Sequence, residues 1–155
     1  LKDILRSIRP KLLLIPMATM FGTLLAVALV SMLLPKWSLF NCLAIGSGFA
    51  YYSLSSILIT QLKTSTLGLQ MATELGIIAL MSNVLREIMA LLGAPLFVKY
   101  FGRLAPICAG GATTMDTTLP IITRYSGKDL VFVSIFHGML MDFSVPFLVS
   151  FFCSF

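Results

Sequence analysis

The sequence predicts an all-α integral membrane protein with about five transmembrane helices, the fourth of them broken. Three observations carry that. Of 155 residues, 58% are hydrophobic and only 11% are charged, against about a quarter charged in soluble domains. The mean hydropathy is +0.99. The apolar residues also gather into five stretches of span length, separated by short turn-like segments. Crossing hydrocarbon takes about 20 apolar residues, so 1–155 reads as one transmembrane domain with no room for a soluble one.

The spans follow in order. Residues 1–11, with Lys2, Arg6, Arg9 and Lys11, form a basic amphipathic entry. The apolar run from Leu12 to Leu34 is longer than the h-region of a signal peptide, so 12–34 is the first span. Gly22, with Ala18 and Ala26 four residues to either side, makes a small face for close helix packing. Pro35-Lys36-Trp37 is a tight connection with an interfacial tryptophan. The second span covers 38–62 and contains Gly46-Ser47-Gly48-Phe49-Ala50-Tyr51-Tyr52-Ser53-Leu54-Ser55. These small polar residues either pack helices or wall a cavity. Lys63 to Gly68 reads as a polar turn. The third span, 69–92, carries Glu74, Asn83, Arg86 and Glu87. Asn83 and Glu87 are four apart and share a face, with Arg86 beside it. Charged groups at this depth face the interior and pair, so Arg86 with Glu87 is one reading and substrate recognition the other. Gly93-Ala94-Pro95 is expected to end that helix, leaving 96–103 as an interfacial element.

The fourth span, 104–123, holds Gly110-Gly111-Ala112-Thr113-Thr114-Met115-Asp116-Thr117-Thr118-Leu119-Pro120. Glycine and proline weaken a helix, and freed backbone groups need partners that lipid lacks. Unwound helices line midplane sites in secondary transporters. Asp116 is the group that can trade a proton, a sodium ion or a substrate ammonium, with Thr113, Thr114 and Thr117 as hydroxyl ligands. The fifth span, 129–153, contains His137, Gly138, Asp142 and Pro146. His137 is either a packing residue or a proton relay.

Charge and cysteine usage exclude other classes. The net charge of +5 is spread around span ends, as topology requires, with no aromatic-interleaved basic run for nucleic acid. Five spans with the N-terminus inside place Lys2, Arg6, Arg9, Lys11, Lys63, Arg124 and Lys128 inside, and Lys36, Lys99 and Arg103 outside. The count holds if 104–123 crosses fully; a re-entrant fourth segment would invert the last span and weaken the bias. Cys42, Cys108 and Cys153 are scattered and lack metal-ligand spacing. A metal site of His137, Asp116 and Asp142 has no compact spacing either, so neither an enzyme nor a cofactor is expected; a sodium site at Asp116 is one option for the coupling ion.

Four segments in register resemble the lysine exporter (LysO) family: Gly48-Phe49-Ala50-Tyr51-Tyr52-Ser53-Leu54-Ser55, Leu85-Arg86-Glu87-Ile88, the stretch from Gly110 to Pro120, and Ile135-Phe136-His137-Gly138. The resemblance implies an exporter of L-lysine or a related basic amino acid in the bacterial inner membrane. It implies that Asp116 matches the family's essential membrane carboxylate, and that the Tyr-Ser stretch, Arg86-Glu87 and His137 match other motif positions. It also implies a longer functional unit, completed by an N-terminal-half subunit or by a second copy. The five-span layout is similar to one repeat of the sodium/proton antiporter and bile-acid symporter superfamily. The function expected is secondary active export coupled to proton or sodium antiport. Gly110, Gly111, Tyr52, Ser53, Ser55, Asn83, Arg86, Glu87 and His137 join Asp116 and the threonines as candidate site residues. A channel or passive pore subunit and a non-transporting assembly subunit are the alternatives.

Overall fold

The computed structural model describes residues 10–155, with side chains from residue 12 onward; most of the predicted basic entry segment lies outside the described residues. Those residues are helical, without a strand: α1 (Pro10–Ser31), α2 (Leu39–Gly46), α3 (Tyr52–Leu67), α4 (Leu69–Phe101), α5 (Ala105–Gly110), a 3₁₀ turn (Gly111–Met115), α6 (Leu119–Ser126), a second 3₁₀ turn (Lys128–Leu130) and α7 (Val131–Cys153). Three helices are long and apolar enough to cross a membrane: Leu12–Ser31, Leu69–Phe101 and Lys128–Cys153. Their outward faces carry Leu14, Met17 and Phe21 on α1 and Phe143, Phe147 and Phe151 on α7, all exposed.

The other two predicted spans, 38–62 and 104–123, are helical hairpins. Lys36, just ahead of α2, pairs with Glu74, which lies one turn beyond the Gly68 corner that joins α3 to α4. Phe40 at the start of α2 stacks on Phe155 after α7. So α2 starts, and α3 ends, at one end of the bundle. Their inner ends meet at mid-bundle, where Asn83 contacts Ile45, Ala50 and Ser55. The second hairpin is its counterpart from the opposite end. Arg103, just ahead of α5, donates from Nε to the Ser126 carbonyl at the end of α6 and pairs with Asp129. The two tips touch, with the Ala112 amide donating to the Phe49 carbonyl at 2.8 Å.

Local chemistry explains the departures from the sequence reading. At about 1.5 Å per residue, the eight residues of α2 rise about 12 Å, well short of a bilayer core. The chain then turns back through Phe49 and Ala50, both at positive φ (43° and 74°). Gly93 and Pro95 do not end α4, which runs unbroken to Phe101, so 96–103 is no separate element. Proline costs one internal bond there, but Ala90 and Ala94 are buried, and neighbouring helices hold such positions within membranes. The turn predicted at Lys63–Gly68 shrinks to Gly68 alone, and Lys63 is buried on α3.

A stripe of small residues on α4 (Ala72, Gly76, Ala79, then Asn83) lets α3 and the first tip lie close. The apolar core joins Phe49, Ile59, Leu75, Met141, Val145 and Val149 beneath the tips.

Candidate functional site

The first tip is built around Asn83. A chain that reverses at mid-bundle leaves amides and carbonyls without helical partners, and each needs one. Asn83 Oδ1 accepts from the Ala50 amide at 2.8 Å, while its Nδ2 donates to the Ala79 carbonyl at 2.8 Å and lies 3.4 Å from both the Ile45 carbonyl and Ser55 Oγ. Ser47 Oγ covers the Ala44 carbonyl. One asparagine therefore serves both sides of the break and fixes two residues in a conformation that L side chains seldom adopt.

The second tip rests on Arg86 and on α7. Arg86 Nε donates to the Ala109 carbonyl at 2.9 Å and Nη2 to the Cys108 carbonyl at 3.1 Å, at the C-terminal end of α5. Nη1 lies 3.4 Å from Thr23 Oγ1 on α1, and the guanidinium sits 5.9 Å from the centre of the Phe49 ring. Gly111 takes φ +61°, and a Cβ there would lie 2.3 Å from the Phe49 carbonyl oxygen, so only glycine allows the tips to touch. On the other side, Ser134 Oγ donates to the Thr114 carbonyl at 2.8 Å, and a Cβ on Gly138 would lie 2.6 Å from the Met115 nitrogen. His137 is fully buried, with Nδ1 3.2 Å from Thr114 Oγ1 and Nε2 3.1 Å from Thr19 Oγ1.

Between the tips lies a cavity of about 210 Å³, lined by Ala50, Tyr51, Tyr52 and Ser53 from the first hairpin, by Ala112, Thr113, Met115, Asp116 and Thr117 from the second, and by Asp142 of α7. Asp116 Oδ1 accepts from the Thr117 amide and is 3.3 Å from Thr117 Oγ1. Among the described residues, no basic side chain lines this cavity. The start of α3 also lines it, where no side chain caps the first turn; the first amides of a helix carry partial positive charge and lack internal partners. The cavity thus offers two carboxylates and one helix N-terminus.

Of the residues singled out in the sequence, the cavity gathers Tyr52, Ser53, Thr113, Asp116 and Thr117. Ser55 and Asn83 lie beneath the first tip, and Thr114 and His137 tie the second tip to α7 and α1. Gly110 and Gly111 supply backbone. An internal Arg86–Glu87 pair, one of the two readings of the sequence, does not form: Arg86 donates to the Cys108 and Ala109 carbonyls of α5. Glu87 is buried and makes no ion pair among the described residues. Asp142 was absent from the predicted set. Its signal was its place four residues after Gly138, the position against which the second tip packs.

A helical protein with an apolar exterior, and with its polar groups collected where two hairpins meet, has the layout by which membrane transporters build sites from broken helices. The sequence profile of the family described as "Lysine exporter LysO" matches residues 1–153. The chain belongs to the lysine exporter LysO family, a family of membrane transporters and not of enzymes. It is 35% identical over 112 residues to "Lysine exporter LysO" of Escherichia coli (strain K12), covering 72% of this chain and 34% of that protein. It is 37% identical over 113 residues to a protein of Haemophilus influenzae described as "Putative lysine exporter", covering 73% of this chain and 53% of that protein. The match thus spans about a third to a half of these relatives' lengths. No solved structure matches the chain.

Proposed function

We propose that this chain forms the cargo-binding part of a secondary active transporter that exports L-lysine or a related basic amino acid. The observation that carries the reading is the cavity between the tips. Lysine has two ammonium groups and one carboxylate, and the cavity brings together two carboxylates, Asp116 and Asp142, and the uncapped start of α3. Asp116 binds an ammonium group of the cargo, or the coupling proton or sodium ion in exchange for it. Thr113, Thr117, Tyr52 and Ser53 complete the wall. Membership of an exporter family supports lysine as the cargo.

In this reading residues 1–155 form one transmembrane domain with three crossings and two re-entrant hairpins, in place of five crossings in the manner of an antiporter repeat. The distribution of charge supports it. Lys99, Arg103, Arg124 and Lys128 lie toward the end where α1 begins, and the sequence leading into α1 adds Lys2, Arg6, Arg9 and Lys11. Only Lys36 and Lys63 lie toward the other end. Eight against two is a steeper bias than the seven against three of five spans, and it puts the N-terminal side in the cytoplasm. The membrane is the bacterial inner membrane. Asp116 and Thr117 are exposed and Asp142 is partly so; carboxylates at this depth do not face lipid. Further protein therefore covers them, either an N-terminal-half subunit or a second copy.

The test is lysine efflux from loaded vesicles carrying the exporter assembled with this chain. Saturable efflux driven by a proton or sodium gradient supports the proposal. Non-saturating conductance contradicts it and indicates a channel. Unchanged efflux after loss of both Asp116 and Asp142, with assembly impaired, contradicts it in favour of an assembly subunit.

A further inference from the structure

Arg86 is the one basic side chain at the centre of the described bundle; it does not line the cavity between the tips but edges a separate, largely apolar cavity of about 330 Å³ with Thr23, Ser82 and Asn83. We infer that Arg86 is a positioning residue that locks the two hairpin tips into a single body, and that it takes no part in binding the cargo's carboxylate. The inference rests on the proposed cargo site and adds a role for a residue outside it.

The geometry uses most of the guanidinium. Two of its edges are spent on the Cys108 and Ala109 carbonyls and a third faces Thr23 Oγ1. The guanidinium carbon also sits over the Phe49 ring. The last carbonyls of a helix are unpaired and carry partial negative charge. A cation at the end of α5 therefore has its counter-charge without a carboxylate, which explains why Arg86 leaves Glu87 unpaired. One residue thus touches α1, the second hairpin and the aromatic ring of the first. Asn83, one turn earlier on the same helix, closes the corresponding end of α2 through its contact with the Ile45 carbonyl. The two hairpins enter from opposite ends, yet the C-terminal ends of α2 and α5 are met by donors only three residues apart on α4.

Locking matters because the cavity has no wall of its own. Ala50 to Ser53 come from one tip and Ala112 to Thr117 from the other. The only direct backbone link between these tips is the Ala112 amide on the Phe49 carbonyl. Registration of Asp116 against the start of α3 depends on that link and on Arg86. A lysine at position 86 keeps the charge but cannot meet two carbonyls in a plane. A glutamine keeps a donor and loses the charge.

The experiment compares L-lysine with L-lysinamide, whose carboxylate is replaced by a neutral amide, in the wild-type exporter and in its Arg86→Lys and Arg86→Gln variants. Loss of a charged hydrogen-bond set is worth about a tenfold change in affinity or more. The expected result is a rise in KM of about tenfold for both compounds alike, with a smaller rise in Arg86→Lys than in Arg86→Gln. A rise for lysine only overturns the inference and assigns Arg86 to the cargo carboxylate. An unchanged KM for both, with only the maximal rate or the folded yield reduced, also overturns it. A second readout needs no cargo. In a background with Cys42, Cys108 and Cys153 replaced by serine, a cysteine introduced by Thr113→Cys should react with a soluble maleimide several-fold faster when Arg86 is replaced; equal rates overturn the inference. Wild-type exporter that moves no lysine at all contradicts the cargo assignment instead, and the maleimide rates then still decide the role of Arg86.

Discussion

The carboxylates and threonines of this chain divide by what they touch. Asp116 has the Thr117 amide and hydroxyl as neighbours and a cavity on its other side. Thr114 and His137, from equally suggestive sequence, are consumed by the fold. Thr114 Oγ1 lies 3.0 Å from the Ser134 carbonyl and 3.2 Å from His137 Nδ1, and His137 reaches Thr19 on its far side. His137 is therefore a bridge between α7, α1 and the second tip. Replacing it by glutamine, which keeps a polar group at that position, should leave lysine efflux within about threefold and its pH profile unchanged. His137→Leu removes one partner from each of the Thr19 and Thr114 hydroxyls, which keep the Ile15 and Ser134 carbonyls. It should destabilise the protein by about 1–3 kcal/mol for two lost hydrogen bonds; thermal unfolding in detergent and efflux as a function of pH check the pair. Gly111→Ala is a sharper case. The new methyl group meets the Phe49 carbonyl in a conformation already at positive φ, so a loss of roughly 1–3 kcal/mol or more and of most transport is expected, again read by thermal unfolding and efflux.

At the scale of elements, the sequence marked 104–123 as broken and left open whether it crosses or re-enters, but it did not show that 38–62 turns back. The composition of the stretch from Gly110 to Pro120 is what lipid forbids in a continuous helix, and this made its break legible. The first break was harder to see, since Phe49 and Ala50 are apolar and their positive φ is set by Asn83, 33 residues away. Periodicity cannot separate a crossing from a hairpin of the same total length, because both are apolar throughout. The continuity of α4 past Pro95 was hidden for a related reason, since its support comes from packing and not from local propensity. The two layouts make opposite predictions for cysteine labelling. With the N-terminus inside, hairpins put Ser65 and Thr66 outside and Gly102 inside; five crossings reverse both. Single cysteines at Ser65 and at Gly102 should therefore react with an impermeant maleimide from the outside and from the inside, respectively.

For the whole molecule, the two hairpins produce one site from two local reversals. Each reversal exposes a helix terminus at the bundle centre, and α4 and α7 supply the side chains that complete it: Asn83 and Arg86 from one, Ser134, His137 and Asp142 from the other. Asp116 and the Tyr52-Ser53 pair could be read from sequence because they sit in breaks. Asp142 left only a weaker signal, its place four residues after Gly138, because it lies on an unbroken helix and becomes part of the site only when the second tip packs on Gly138. The central claim is that these two carboxylates hold the cargo. Lysine efflux from loaded vesicles measures it directly, using the exporter with Asp116→Asn and with Asp142→Asn beside the wild type. The account predicts that Asp116→Asn lowers efflux by about a hundredfold and that Asp142→Asn raises KM by about tenfold, as expected for losing one charged partner at a desolvated site. Efflux at the wild-type rate and KM in Asp116→Asn would contradict it.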